Sequence, residues 1–157
     1  METKSKTPPR GIRNNNPLNI RRGKSKWKGE TYLDCVDDKF CQFETMIMGW
    51  RAALYLIRRY IKVWKCNTIR KIVSRWAPMN ENNTIGYVNR VCDFTGINPD
   101  TEIRFEAWPT MVLLASAMCV VENGKDYNPF SSPKKLGEIF KAWEMVNNEV
   151  DGKEKNT

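Results

Sequence analysis

From Glu44 onward, apolar residues return every third or fourth position: Ile47, Trp50, Leu54, Ile57, Ile61 and Trp64. Arg51, Arg58, Arg59, Lys62 and Lys65 fall on the other faces. That spacing predicts an amphipathic helix of about five turns. Thr68 can cap a shorter helix carrying Ile69, Ile72, Val73 and Trp76, which Pro78 closes. Asn82, Asn83 and Thr84 offer the next cap, ahead of Tyr87, Val88, Val91 and Cys92. The apolar run from Met111 to Val121 predicts the most buried helix, opened by Thr110 and closed by Gly124 as a left-handed cap. Ser132 and Pro133 read as N-cap and first residue of a last helix, with Leu136, Ile139, Phe140, Trp143 and Val146 on one face.

The pattern is different near the start. TYLDCV and KFCQF flank Asp37-Asp38 and predict a short β-hairpin, while GIRNNNPLNIRRG predicts a structured loop. The expected fold class is therefore mainly α (α+β), a helical domain with one small β-hairpin. Residues 11–148 form the expected single domain, between a flexible basic arm at 1–10 and a flexible polar tail at 149–157.

Composition narrows the chemistry. A chain of 157 residues, 41% apolar and with six tryptophans, can bury a core as one domain. Its formal charge of +8 suits an anionic partner such as nucleic acid, an anionic membrane or a cell wall, or else a solvated basic surface. The absence of histidine excludes Ser-His-Asp and Cys-His nucleophile systems and removes the commonest zinc ligand. Five cysteines without a CxxC pair read as reduced thiols of a protein made in the cytoplasm, with a Cys35–Cys41 bridge across the hairpin left open. The first ten residues lack the apolar segment of a signal peptide, and the longest apolar run is too short to span a bilayer. A target outside the membrane would then require delivery by something else.

Glu122 stands where the most buried helix ends. Partial desolvation and the negative end of the helix dipole both raise a carboxyl pKa, and Met118 and Cys119, one turn earlier, supply an apolar wall. A carboxyl group kept protonated near neutral pH can donate a proton to a departing sugar oxygen. The bland reading is a solvated residue at a helix end.

Several segments resemble known enzymes. SAMCVVENG is similar to the helix of lytic transglycosylases and goose-type lysozymes that ends in the catalytic glutamate, with Asn123 where that pattern has serine. NNTIGYVNRV is similar to their E-T-x-x-Y-V-x-x-V segment, whose cleft tyrosine falls on Tyr87. NPLNIRRGKSKWKGE and FCQFETMIMGWRAAL resemble segments of bacterial glucosaminidases. GIRNNNPLNIR, RWAP, ENNT and ENG together resemble a phage and prophage group of small lysozyme-like proteins often described only as virion or structural. The resemblance covers about residues 10–130 and places the catalytic helix late in the chain, which implies a circularly permuted order.

It also implies a lysozyme-like fold and a peptidoglycan-cleaving activity, as a lytic transglycosylase or muramidase with Glu122 as general acid. Glycan strands of peptidoglycan would be the substrate, and other virion proteins are possible partners. The expectation includes a monomer with no cofactor, no metal and no nucleic acid.

Other cleft candidates keep two readings each. Asn14, Asn15 and Asn16 either bond sugar hydroxyl and acetamido groups or shape the turn, and Asn19 leans to the structural role. Glu81 is a second acid, a substrate ligand or a helix-start charge. Tyr87 and Tyr127 either position a sugar or orient Glu122, or else pack in the core. Trp27 either stacks on a sugar or anchors its loop. Trp50, Trp64, Trp76 and Trp143 are assigned to the core. Asp34, Asp37, Asp38 and Glu44 yield no clear second carboxylate, which favours a single-acid mechanism. Two rival classes remain: a non-catalytic virion or wall-binding module of the same fold, and a nucleic-acid-binding helical domain using the basic arm and long helix.

Overall fold

A computed structural model describes residues 7–80 and 82–152. The chain is mainly helical with one small antiparallel sheet, as expected from its pattern. In order it forms α1 (Arg10–Arg13), β1 (Glu30–Thr31), β2 (Gln42–Phe43), α2 (Met46–Lys62), α3 (Ile69–Trp76), α4 (Thr84–Thr95), α5 (Trp108–Asn123) and α6 (Pro133–Gly152). Two 3-10 turns, Lys125–Tyr127 and Pro129–Ser131, join α5 to α6.

The caps follow the sequence closely. Thr45, Thr68 and Asn83 each accept a backbone N–H from the first turn of α2, α3 and α4, satisfying donors that a helix start leaves open. Gly96 takes the left-handed conformation at the end of α4. Helix α6 lies along α2, and α5 packs against both α4 and α6. The core fills with Leu54, Ile57, Ile72, Met111, Leu114, Met118 and Ile139, all fully buried.

Several expectations need correction. The hairpin is far shorter than the two predicted strands: Glu30 pairs with Phe43 and Thr31 with Gln42, and most of TYLDCV lies in the loop between them. Side chains replace the missing ladder. Gln42 donates to the Cys35 carbonyl and accepts from the Leu33 N–H, and Asp37 accepts from the N–H groups of Lys39 and Phe40. The loop GIRNNNPLNIRRG contains the single-turn helix α1.

Helix α2 stops at Lys62, and Lys65 turns the chain with φ of 58°. Trp64 therefore leaves the core and is 42% exposed. Helix α5 begins at Trp108, two residues early, with Pro109 in its first turn. Gly124 has φ 104° and ψ 163°, a positive-φ extended conformation instead of the left-handed cap.

The expected tail from 149 is also revised, because α6 continues to Gly152. Glu149 there receives Arg51 Nε at 2.9 Å, which gives that buried guanidinium its counter-charge. The expectations for residues 1–6 and 153–157 lie outside the described residues. All five cysteines are free thiols, so Cys35 and Cys41 are not bridged.

Candidate functional site

Glu122 sits in the last turn of α5, half-buried. Asn19 Nδ2 donates to one carboxylate oxygen at 2.8 Å, and the Tyr87 hydroxyl donates to the other at 3.1 Å. Burial raises the Glu122 pKa above the ordinary value, and the two hydrogen bonds pull against that rise without cancelling it. Tyr87 is itself buried, so desolvation and the neighbouring carboxylate push its pKa well up and keep the phenol a donor.

Three segments bring these groups together. The last turn of α5 carries the acid, and α4 carries Tyr87 on its buried side. The loop after α1 carries Asn19 in the left-handed region, with φ 55°. An asparagine tolerates that conformation better than most residues.

Gly11 and Gly49 allow the loop to sit so tightly. A Cβ on Gly11 would lie 2.5 Å from Asn123 Oδ1, 2.8 Å from the Asn16 carbonyl and 3.0 Å from Asn19 Oδ1. One on Gly49 would lie 1.8 Å from the Asn15 carbonyl. Asn123 completes the joint: its buried amide donates to the Pro17 carbonyl at 2.8 Å and to the Cys119 carbonyl at 3.1 Å. The residue next to the acid thus ties the Asn19 loop to α5.

In front of Glu122 lies a cleft of about 280 Å³. Trp76, Ala77, Pro78, Asn19, Arg21 and Phe40 line it with Glu122. Arg10 and Arg21 both place a guanidinium over the Phe40 ring, 4.6 and 5.0 Å from its centre. Among the described residues, Glu122 is the only carboxylate lining this cleft. No group of His, Cys, Asp or Glu among them has the arrangement to hold a metal ion.

The sequence candidates separate clearly. Tyr87 reaches Glu122, and Met118 and Cys119 are buried behind it. Asn14, Asn15 and Asn16 do not face the cleft as sugar ligands. Asn14 bonds Asp37 and Gln42, Asn15 bonds the Phe43 carbonyl, and Asn16 is fully buried between the Ile20 and Cys41 backbones. Asn14 and Asn16 use both ends of their amides in shaping the loop, and Asn15 uses its Nδ2 there.

Tyr127 also falls elsewhere, on an apolar pocket of about 320 Å³ shared with Trp50 and Cys119. Trp27 packs edge-on against Tyr55 and lines a hollow of about 240 Å³, which shares Arg21 with the cleft as a lining residue. Glu81 lies outside the described residues.

Of the four asparagines in the loop, Asn19 alone contacts Glu122. The turn chemistry of the loop leans Asn19 toward a structural role, and its side chain donates to the acid. The α3 stripe predicts a core position for Trp76. It is half-buried, donates to the Leu18 carbonyl and lines the cleft, since Pro78 ends the helix beside it.

The chain is 39% identical over 138 residues to Protein P5 of Pseudoalteromonas phage PM2, spanning 86% of this chain and 80% of that protein. The chain belongs to the Protein P5 family. No family model matches it. The P5 relative is a bacteriophage protein, in keeping with the phage group that the sequence motifs suggested. Among the described residues of this P5-family chain, no helix is long and apolar enough to cross a membrane.

Proposed function

We propose that this chain cleaves the glycan strands of peptidoglycan, with Glu122 as general acid. The observation that carries the reading is the carboxyl group itself: desolvated enough for its pKa to rise, held by Asn19 and Tyr87, and open to a cleft. The resemblance of SAMCVVENG and NNTIGYVNRV to lytic transglycosylase segments supports it, because those segments supply Glu122 and Tyr87, and these two side chains meet.

In this reaction the Glu122 carboxyl group protonates the bridging oxygen as the C1–O bond of N-acetylmuramic acid breaks. The substrate's 6-hydroxyl then closes on C1, and its proton passes to the Glu122 carboxylate. One proton leaves and one returns, no water is consumed, and the product ends in an anhydro sugar. A second carboxylate is not needed, which matches a cleft lined by one among the described residues. Trp76 offers a ring to a sugar face, and Arg10 and Arg21 add positive charge toward an anionic wall.

Release of soluble fragments from purified peptidoglycan tests this reading. The native chain should release them, Glu122→Gln should not, and the variant should remain folded under the assay conditions. Equal release by both proteins would remove Glu122 from the mechanism.

A further inference from the structure

Where α2 ends, the chain presents Val63 at 50% and Trp64 at 42% exposure, side by side at a sharp turn. Cations surround this apolar tip. The Arg75 guanidinium lies over the Trp64 ring, 3.7 Å from its centre, and Arg59 lies 5.5 Å away. Lys65 is exposed beside them, and Lys71 is exposed on α3. Lys62 pairs with Glu106, but among the described residues neither Arg59 nor Arg75 has an acidic partner. Tyr60 braces the group, 5.7 Å from Trp64 and 5.8 Å from Trp76.

We infer that this tip is a docking surface for an anionic phospholipid membrane, with Val63 and Trp64 entering the interface and Arg59 and Arg75 taking lipid phosphates. Two unpaired guanidinium groups held against aromatic rings suit phosphate oxygens. An indole with a neighbouring aliphatic side chain suits the boundary between headgroups and acyl chains. The apolar component decides between partners. A nucleic acid would need the Trp64 face for stacking, where Arg75 already lies, and would gain nothing from Val63. A soluble anionic polymer would likewise leave Val63 in water. Trp76 follows Arg75 on α3 and lines the Glu122 cleft, so docking here would bring that cleft close to the membrane surface.

The inference is independent of glycan cleavage, and its test needs no activity. The full chain is sedimented with vesicles of phosphatidylcholine alone or with one third phosphatidylglycerol, beside Val63→Ser, Trp64→Ser, Arg59→Glu/Arg75→Glu and Glu122→Gln. Native and Glu122→Gln proteins should bind the anionic vesicles and not the neutral ones. Trp64→Ser should bind about tenfold more weakly or worse, as the loss of one buried large side chain implies, and the arginine pair at least as much, because two attractive charges at an anionic surface become repulsive. Val63→Ser should weaken binding less, and each of the tip variants should keep the native unfolding temperature.

Undiminished binding by the variants would overturn the assignment of this tip. Loss with the arginine pair but not with Trp64→Ser would overturn insertion in favour of a purely electrostatic surface. Failure of the native chain to bind anionic vesicles, while it binds DNA or a soluble polyanion through the same residues, would replace the membrane with that partner.

Discussion

The Asn19 amide donates to Glu122 across 2.8 Å, although 103 positions separate the two residues in the chain. That bond and the one from Tyr87 govern how readily the carboxyl group loses its proton. Burial pushes the Glu122 pKa up, while both donors favour the carboxylate. Removing either donor should therefore raise the pKa further. A general acid works only while protonated, so the alkaline limb of the activity profile should move to higher pH in Asn19→Ala and in Tyr87→Phe. Rates of glycan release measured across pH 4–9 would show it, and a shift to lower pH would contradict the arrangement.

The same burial ties stability to pH. Because the folded-state pKa of Glu122 lies above its unfolded value, the folded state holds its proton more tightly. The associated stabilisation is complete below the unfolded pKa and is lost as pH rises through the folded one. Relative to Glu122→Gln, whose side chain does not titrate, the native chain should lose unfolding temperature between acidic and neutral pH. Paired thermal melts from pH 4 to 8 would measure it.

Asp37 runs the opposite way. Burial disfavours its charge, but hydrogen bonds from the Asn14 side chain and the Phe40 and Lys39 N–H groups, together with Arg10, outweigh that and hold the pKa near 2. Its contribution to stability is present above about pH 4 and falls away as pH drops toward 2. Asp37→Asn should be destabilised at neutral pH by about 1–3 kcal/mol, with the gap closing in acid. Denaturant unfolding at pH 7 and pH 2.5 would compare them.

Two glycines separate close packing from open space. Gly11→Ala would drive a methyl group against Asn123, Asn16 and Asn19, costing about 1–3 kcal/mol and moving Asn19 off the acid. Activity should fall with stability. Gly137→Ala meets nothing within 4 Å inside α6 and should gain about 0.5–1 kcal/mol with activity unchanged. Thermal melts and glycan-release assays on the two variants would separate the outcomes.

Much of this fold was legible because helices advertise themselves locally. Thr68 and Asn83 cap where their side chains can reach back to the next turn, and the stripes bury Trp50, Leu54, Ile57 and Ile61 of α2 and Ile139 and Val146 of α6. The hairpin was misjudged because β-propensity in TYLDCV was overruled by side-chain bonds from Gln42 and Asp37. The site was legible at Glu122 and Tyr87, where charge and motif coincide. It was illegible among the asparagines, because only the folded loop decides which amide is consumed internally and which reaches across to α5. Trp64 left the core because α2 ended two residues before it.

The most direct measurement is mass spectrometry of the fragments released from purified peptidoglycan by the native chain and by Glu122→Gln. The account expects fragments ending in anhydro-N-acetylmuramic acid from the native chain and none from the variant. Reducing-end fragments would contradict the single-acid route and require a second group to activate water. No release from either protein across pH, salt and wall source would contradict the proposed activity itself.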